Sequence, residues 1–169
     1  MGTMDVPGYR FGAPIGDAFL DWFHNQFVPQ MKAKYGPDFE FATIIRRHDR
    51  SIDVAVANGE GEKFTGPEGL FANIEHKLAF VDRTGLNSSE ARNRPDLVEP
   101  GDFPFEGAGT YRGYTGGVSG GKEESDWWIF CQVVDRWIEL RASSAAPAIA
   151  ACKDRQPGWK YLLGDPDTL

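Results

Sequence analysis

Positive charge is in short supply in this sequence. Its 169 residues include 18 Lys and Arg against 25 Asp and Glu, which gives a formal net charge of −7. Nucleic-acid binding draws most of its affinity from Lys and Arg side chains that neutralise phosphates. The one basic cluster, residues 46–50, is too short to reverse this balance. We therefore expect no nucleic-acid partner.

Cysteine and long apolar runs are also scarce. The two cysteines, Cys131 and Cys152, form no Cys-x-x-Cys pair, and no spacing of Cys and His is typical of a zinc site. No apolar run approaches the roughly 18 residues of a membrane-spanning helix, and no charged-then-apolar leader is present. These absences lead us to expect a cytoplasmic protein with reduced thiols, no structural metal and no membrane partner.

The hydrophobic content is that of an ordinary globular protein. With 41% hydrophobic and 13% aromatic residues in a chain of this length, one domain with its own core is expected. We interpret residues 14–35 as an N-terminal helical extension, residues 39–142 as the core and residues 143–169 as a C-terminal tail.

The apolar spacing predicts three helices. The first follows Pro14 and is kinked or divided at Pro29. The second starts at residues 65–68, where a threonine followed three residues later by an acid suits a capping box, and it stops at Gly85. The third runs from 122 to 142 and is apolar on two faces, so we expect one face to meet the sheet and part of the other to meet a second subunit or the tail.

Several short segments predict strands. Residues 39–45 and 51–56 are rich in β-branched or alternating apolar residues, and the charged stretch between them indicates a hairpin. A further strand is predicted from 110 to 118, and a short one at 103–105 within an irregular loop that spans 87–107. The resulting order is helix, two strands, helix, one or two strands, helix. This order predicts an α+β fold with a central, mostly antiparallel sheet flanked by helices.

The stretch TGGVSGGKEESDWW, residues 115–128, is the first candidate for a site. A glycine-rich turn at 117–120 that runs into a helix offers backbone N–H groups and a positive helix end, which suit a carboxylate or phosphate. The alternative is a purely structural turn, in which the glycines allow a sharp bend and Ser119 caps the helix. Glu123, Glu124 and Asp126 favour this alternative because they would repel an anion.

Two basic side chains and a tyrosine complete the candidate site. Lys77 and Arg83 either bind an acidic ligand or make ordinary surface ion pairs, and for Lys77 a third possibility is a bridge to Asp126 across the helix–sheet interface. Tyr114 could stack on a planar ligand, although a strand tyrosine also packs across strands. His76 is a candidate ligand for iron, and its place opposite the apolar stripe of its helix predicts that it is exposed.

Four landmarks between residues 39 and 141 resemble the GlcG/HbpS-like heme-binding family. The segment GVSG at 117–120, followed by Asp126, is similar to that family's strand end and acidic residue. The segment LFANIEHKLAFVDRTGLNSS at 70–89 resembles the central helix of the branch labelled heme-degrading, and GDFPF at 101–105 resembles the family's Phe-Pro start of a strand. The matching positions in the helical segment are Lys77, Val81, Ser88 and Ser89.

The resemblance implies a profilin-like fold, assembly into homo-oligomers and heme as a possible cofactor. The candidate ligand-binding residues are Lys77, Arg83, Tyr114, Gly117, Val118, Ser119, Gly120 and Asp126, and His76 is the candidate for heme iron. Our first hypothesis is a small domain that binds or senses heme or another tetrapyrrole. The alternatives are a non-enzymatic oligomeric interaction module and a heme-degrading enzyme.

Overall fold

The computed structural model describes residues 15–155, with side chains described for 18–122 and 124–141. The helices in chain order are α1 (Ile15–Trp22), α2 (Val28–Tyr35), α3 (Glu62–Thr65), α4 (Leu70–Thr84) and α5 (Glu123–Arg155). The strands are β1 (Ala42–Arg46), β2 (Ile52–Ala57), β3 (Ala108–Tyr111) and β4 (Tyr114–Ser119). A π-helical turn, Phe23–Phe27, joins α1 to α2, and two 3-10 turns, Ser88–Arg92 and Pro95–Leu97, follow α4.

The strands form one antiparallel sheet in the order β2-β1-β4-β3. Two hairpins, β1–β2 and β3–β4, are joined by pairing of the central strands, with Ala42 opposite Ser119 and Arg46 opposite Thr115. The predicted α+β fold with an antiparallel sheet is confirmed. One end of the sheet therefore holds the start of β1 and the end of β4, and the opposite end holds both hairpin turns.

The two faces of the sheet pack against different helices, because successive strand residues point to opposite sides. The strand and flanking residues that face α1, α2 and α5 include Phe41, Ile45, Val54, Val56 and Val118. Those that face α3 and α4 include Ala42, Ile44, Ala55, Ala57 and Ala108. The sheet is thus the middle of three layers.

The N-terminal helices are part of the core rather than an extension of it, which corrects the sequence interpretation. Phe19, Phe23 and Phe27 are at most 3% exposed and pack on the sheet with α5. The division before Pro29 is confirmed, because the π-helical turn precedes it and α2 starts at Val28. Proline has no backbone N–H to donate, so it is tolerated in the first turn of a new helix.

Helix α4 begins later than predicted. Its first residue is Leu70, preceded by Gly69 without a side-chain cap, so the predicted capping box is wrong. Thr65 instead ends the short helix α3, and its hydroxyl donates to the carbonyl oxygen of Gly61. The predicted stop is confirmed, because Gly85 adopts a left-handed conformation and its N–H donates to Val81 O.

The predicted strand at 110–118 is two strands. Arg112 and Gly113 have positive φ angles of 50° and 83°, as the two central residues of a tight hairpin turn require. The sequence prediction missed this turn because arginine, unlike asparagine, seldom marks a left-handed position. Residues 103–105, predicted as a short strand, are irregular.

Helix α5 starts as predicted but continues to Arg155 rather than ending near 142, a length of about 50 Å. One of its apolar faces is covered within the chain, whereas Trp127, Cys131 and Ile138 on the other face are half-buried. Ile129, Val133 and Trp137 are at most 3% exposed, and the ring of Trp137 meets that of Phe19 edge-on at 5.5 Å. Helix α1 therefore occupies the place that we expected a second subunit or the tail to fill.

Two further expectations concern a membrane partner and the C-terminal tail. Within residues 15–155, no helix is long and apolar enough to cross a membrane. The end of the expected C-terminal tail, residues 156–169, lies outside the described residues.

Candidate functional site

A cleft of about 480 Å³ opens at the end of the sheet where β4 leads into α5. This volume is in the range of small-molecule sites, which are typically about 300–1,000 Å³. Four of the predicted site residues lie in it, namely Lys77, Ser119, Gly120 and Asp126. Its other lining residues are Leu70, Asn73, Phe103, Phe105, Gly121 and Lys122.

Lys77 and Asp126 form a buried ion pair at the cleft. Their side chains are 1% and 5% exposed, and Lys77 Nζ lies 3.3 Å from Asp126 Oδ2. The ammonium also donates to Val118 O at 2.8 Å, while Asp126 Oδ1 accepts the Gly121 N–H at 3.0 Å. The bridge between Lys77 and Asp126 that the sequence suggested is confirmed. It joins α4, β4 and the first turn of α5.

Gly107, which sequence reasoning missed, closes over this ion pair. Its φ angle is +120°, and a Cβ atom there would lie 2.7 Å from Asp126 Cβ and 2.9 Å from Lys77 Nζ. Both values are shorter than ordinary van der Waals contacts, so only glycine fits. The backbone of residue 107 therefore contributes directly to excluding water from the pair.

The glycine-rich turn has a structural role as well as a place in the cleft. Gly120 has a φ angle of +129°, and a Cβ atom would lie 2.3 Å from Glu40 O. Ser119, in contrast, does not cap α5, because its hydroxyl makes no hydrogen bond to any described residue. Ser119 is only 4% exposed and lines the cleft.

Three polar side chains line the cleft without a partner among the described residues. The Ser119 hydroxyl, the Asn73 amide and the Lys122 ammonium make no hydrogen bond or ion pair there. Buried polar groups in native proteins are almost always hydrogen-bonded. The Ser119 hydroxyl is not one of the described buried atoms that lack a partner, so it is open to the cleft, where water or a ligand can bind it.

An aromatic wall faces these polar groups. It consists of Phe103 and Phe105, whose ring centroids are 4.6 Å apart. Phe105 is 40% exposed, and Lys77 Nζ lies 5.8 Å from the centroid of the Phe103 ring. The cleft thus has an apolar aromatic surface, formed by two rings inclined at 52°, next to the buried ammonium of Lys77.

The other predicted ligand-binding residues do not line the cleft. Arg83 pairs with Asp102, and the Tyr114 hydroxyl accepts a hydrogen bond from Arg141 near the opposite end of the sheet. Val118 points its side chain into the core on the α5 face, because it alternates with Ser119 along β4. Gly117 lies within the sheet, close to Gly107 O.

His76 is exposed, as expected, and it does not line the cleft either. No lining residue is a histidine, cysteine, methionine or tyrosine. Within the described residues, no group of three or more His, Cys, Asp or Glu side chains could hold a metal ion. The described residues that line the cleft therefore do not fit axial ligation of a heme iron.

Sequence signals existed for some of the missed residues. Asn73 precedes Lys77 by one helical turn, so a ligand that approaches one would approach the other. Lys122 directly follows the glycine-rich turn that drew attention to this region. Phe103 and Phe105 were noticed as a strand, whereas the structure uses them as a loop wall.

Comparison of the chain with protein-family models, with curated proteins and with solved structures found no match.

Proposed function

We propose that this chain is a small ligand-binding domain whose cleft takes a planar, largely apolar molecule with an acidic group. The observation that carries the proposal is that three polar side chains without a partner among the described residues, Asn73, Ser119 and Lys122, line the same cleft as the aromatic wall. Binding sites typically combine apolar walls with a few convergent polar groups. A tetrapyrrole carboxylate is the ligand class that the resemblance to the GlcG/HbpS-like family suggests.

The charges around the cleft favour an anion more than the sequence suggested. Asp126 was one of the acids expected to repel an anion, yet its charge is already offset by Lys77 and by the Gly121 N–H. Lys122 is exposed and forms no ion pair with a described residue. Its ammonium is therefore available to a carboxylate, while Ser119 can donate a hydrogen bond to the same group.

The ring system, rather than a metal, would supply the affinity. Flat ligands gain from contact with phenylalanine rings, as do aromatic pairs within proteins. Because no lining side chain suits heme iron, we expect iron-free protoporphyrin to bind about as tightly as hemin. No contact within residues 15–155 specifically supports the interaction-module hypothesis or the heme-degrading hypothesis.

Titration with two probes tests the proposal. The first is 8-anilinonaphthalene-1-sulfonate, a planar aromatic anion that fluoresces in apolar clefts, and the second is protoporphyrin, compared with hemin. We expect saturable binding of both at one equivalent. Lys122→Glu should weaken it about tenfold, equivalent to about 1.4 kcal/mol. Lys32→Glu on α2 makes the same change of charge away from the cleft and should leave affinity unchanged.

The outcomes separate the two parts of the proposal. Binding of the sulfonate but not of the porphyrins would keep the planar-anion site and reject the tetrapyrrole. Binding of hemin alone, abolished by His76→Ala, would mean that iron ligation dominates and would contradict the assignment to this cleft. If neither probe binds, the ligand-binding function is rejected.

A further inference from the structure

Arg83 was predicted to bind ligand, but its side chain holds a loop instead. It lies in the last turn of α4 and donates to both carboxylate oxygens of Asp102. It also donates to Leu97 O at 3.0 Å and lies 3.5 Å from Glu99 Oε1. One guanidinium thus contacts three points of the loop that leads to the aromatic wall.

Asp102 is the centre of this arrangement. Its side chain is only 3% exposed, and Oδ2 accepts the Glu99 N–H at 2.8 Å. Its own N–H donates to Glu99 O at 3.1 Å. The hydrogen bond from Arg83 holds the pKa of the Asp102 carboxyl below its usual range. The carboxylate is therefore charged and fixed immediately before Phe103 in the chain.

The segment from Val98 to Phe105 has no regular structure of its own. It contains no helix or strand, so no ladder of backbone hydrogen bonds ties it to the sheet. Phe103 is half-buried and Phe105 is 40% exposed, so their own packing supplies limited apolar contact. Arg83 contacts Leu97, Glu99 and Asp102, and Lys77 Nζ of the same helix lies 5.8 Å from the centroid of the Phe103 ring.

We propose that Arg83 is a positioning residue for the cleft: by holding Asp102 it places Phe103 and Phe105 where they form the wall against which the ligand packs. This inference rests on the proposed ligand-binding function. Arg83 does not line the cleft, so it would affect affinity without touching the ligand.

Arg83→Gln is the test, with Arg94→Gln as its matched control. Arg94 pairs with Asp96 on the surface nearby and does not line the cleft. Hydrogen–deuterium exchange of the unliganded protein should show at least fivefold faster exchange across residues 98–105 in Arg83→Gln only. Affinity for 8-anilinonaphthalene-1-sulfonate should fall at least fivefold in that variant. The melting temperature should change by less than about 4 °C, because the Arg83 side chain is 32% exposed.

A conservative variant separates positioning from general destabilisation. Arg83→Lys keeps the charge but cannot form the paired contacts of a guanidinium, so both readouts should be intermediate. Unchanged exchange in Arg83→Gln, or faster exchange with unchanged affinity, would overturn the inference. If the wild-type protein binds no probe, the proposed function fails, and the exchange experiment alone then decides whether Arg83 holds the loop.

Discussion

The two ends of the sheet each bury a carboxylate, but they neutralise it differently. Asp126 at the cleft end and Asp53 on β2 at the opposite end are 5% and 2% exposed. The cation that pairs with Asp126 is Lys77, only 1% exposed. The cations near Asp53 are Arg47 and Arg141, with side chains 56% and 44% exposed.

The difference in exposure of the cations predicts how much each ion pair contributes to the free energy of unfolding. Both oxygens of Asp126 accept hydrogen bonds, whereas Oδ2 of Asp53 accepts none from the described residues and lies 3.8 Å from Arg141 Nη1. Water reaches the two arginines and screens their charges. Lys77 is only 1% exposed, so water screens the attraction between its ammonium and Asp126 far less. We infer that exposure of the partner, more than burial of the carboxylate, sets the cost of breaking each pair.

The largest effect should come from Lys77→Met, which leaves the Asp126 charge buried without its cation. We expect a loss of about 3–5 kcal/mol in the free energy of unfolding, measured with urea. Lys63→Met, at an exposed pair with Glu40, is the control and should cost less than about 1 kcal/mol. Adding Asp126→Asn to Lys77→Met should recover stability, because it removes the unpaired charge. A loss below 1 kcal/mol for Lys77→Met would contradict the expected difference between the ion pairs at the two ends of the sheet.

Gly107→Ala tests whether water exclusion over the pair matters. The new Cβ would meet Asp126, Val118 O and Lys77 Nζ, and residue 107 would also adopt an unfavourable positive φ. We expect a loss of about 2–4 kcal/mol, from strain and overpacking together. Gly101→Ala has a similar φ of +93° but no atom within 4 Å, so it measures the strain alone at about 1–2 kcal/mol. Equal losses in the two variants would show that crowding at the pair is unimportant.

Asp53→Asn should have a smaller effect, although Asp53 is as buried as Asp126. The exposed heads of Arg47 and Arg141 can turn to water once the charge is removed, so we expect a loss of about 1–2 kcal/mol. Asp96→Asn, at an exposed pair with Arg94, should cost less than about 0.5 kcal/mol. Urea unfolding of both variants measures the difference. A loss as large as that of Lys77→Met would contradict the role given to partner exposure.

The cleft pair could be predicted from sequence, because Lys77 interrupts an apolar stripe. Ile74, Leu78 and Val81 recur at helical spacing, and a lysine on that face must find a buried partner or reach the surface. The acid at position 126, at the start of the next helix, was the candidate in the correct place. The α+β fold followed in the same way from strand alternation and helical periodicity.

The remaining features depend on conformations that side-chain patterns do not record. Arg112 adopts a left-handed conformation, which no arginine predicts, and so one predicted strand became a hairpin. The aromatic wall depends on a contact between Arg83 and Asp102, far apart in the chain, that fixes a loop without regular structure. Asp53 was not singled out, because its second partner, Arg141, becomes a neighbour only when α5 packs on the sheet, although Arg47 lies across the same hairpin.

The smallest expected effect is on the reactivity of Cys131, which lies on α5 between the two ends of the sheet. Burial, with a smaller contribution from Asp135, raises the pKa of its thiol to about 11. In a Cys152→Ser background, the rate of alkylation by iodoacetamide should rise about tenfold per pH unit between pH 7 and 9.5 without a plateau, because the thiolate is the nucleophile. Asp135 is 41% exposed, so Asp135→Asn should raise the rate less than about threefold. A rate that bends near pH 8.5 and levels off by about pH 9.5 would mean that the thiol is ordinary. A tenfold response to Asp135→Asn would mean that an exposed carboxylate acts as strongly as a buried one.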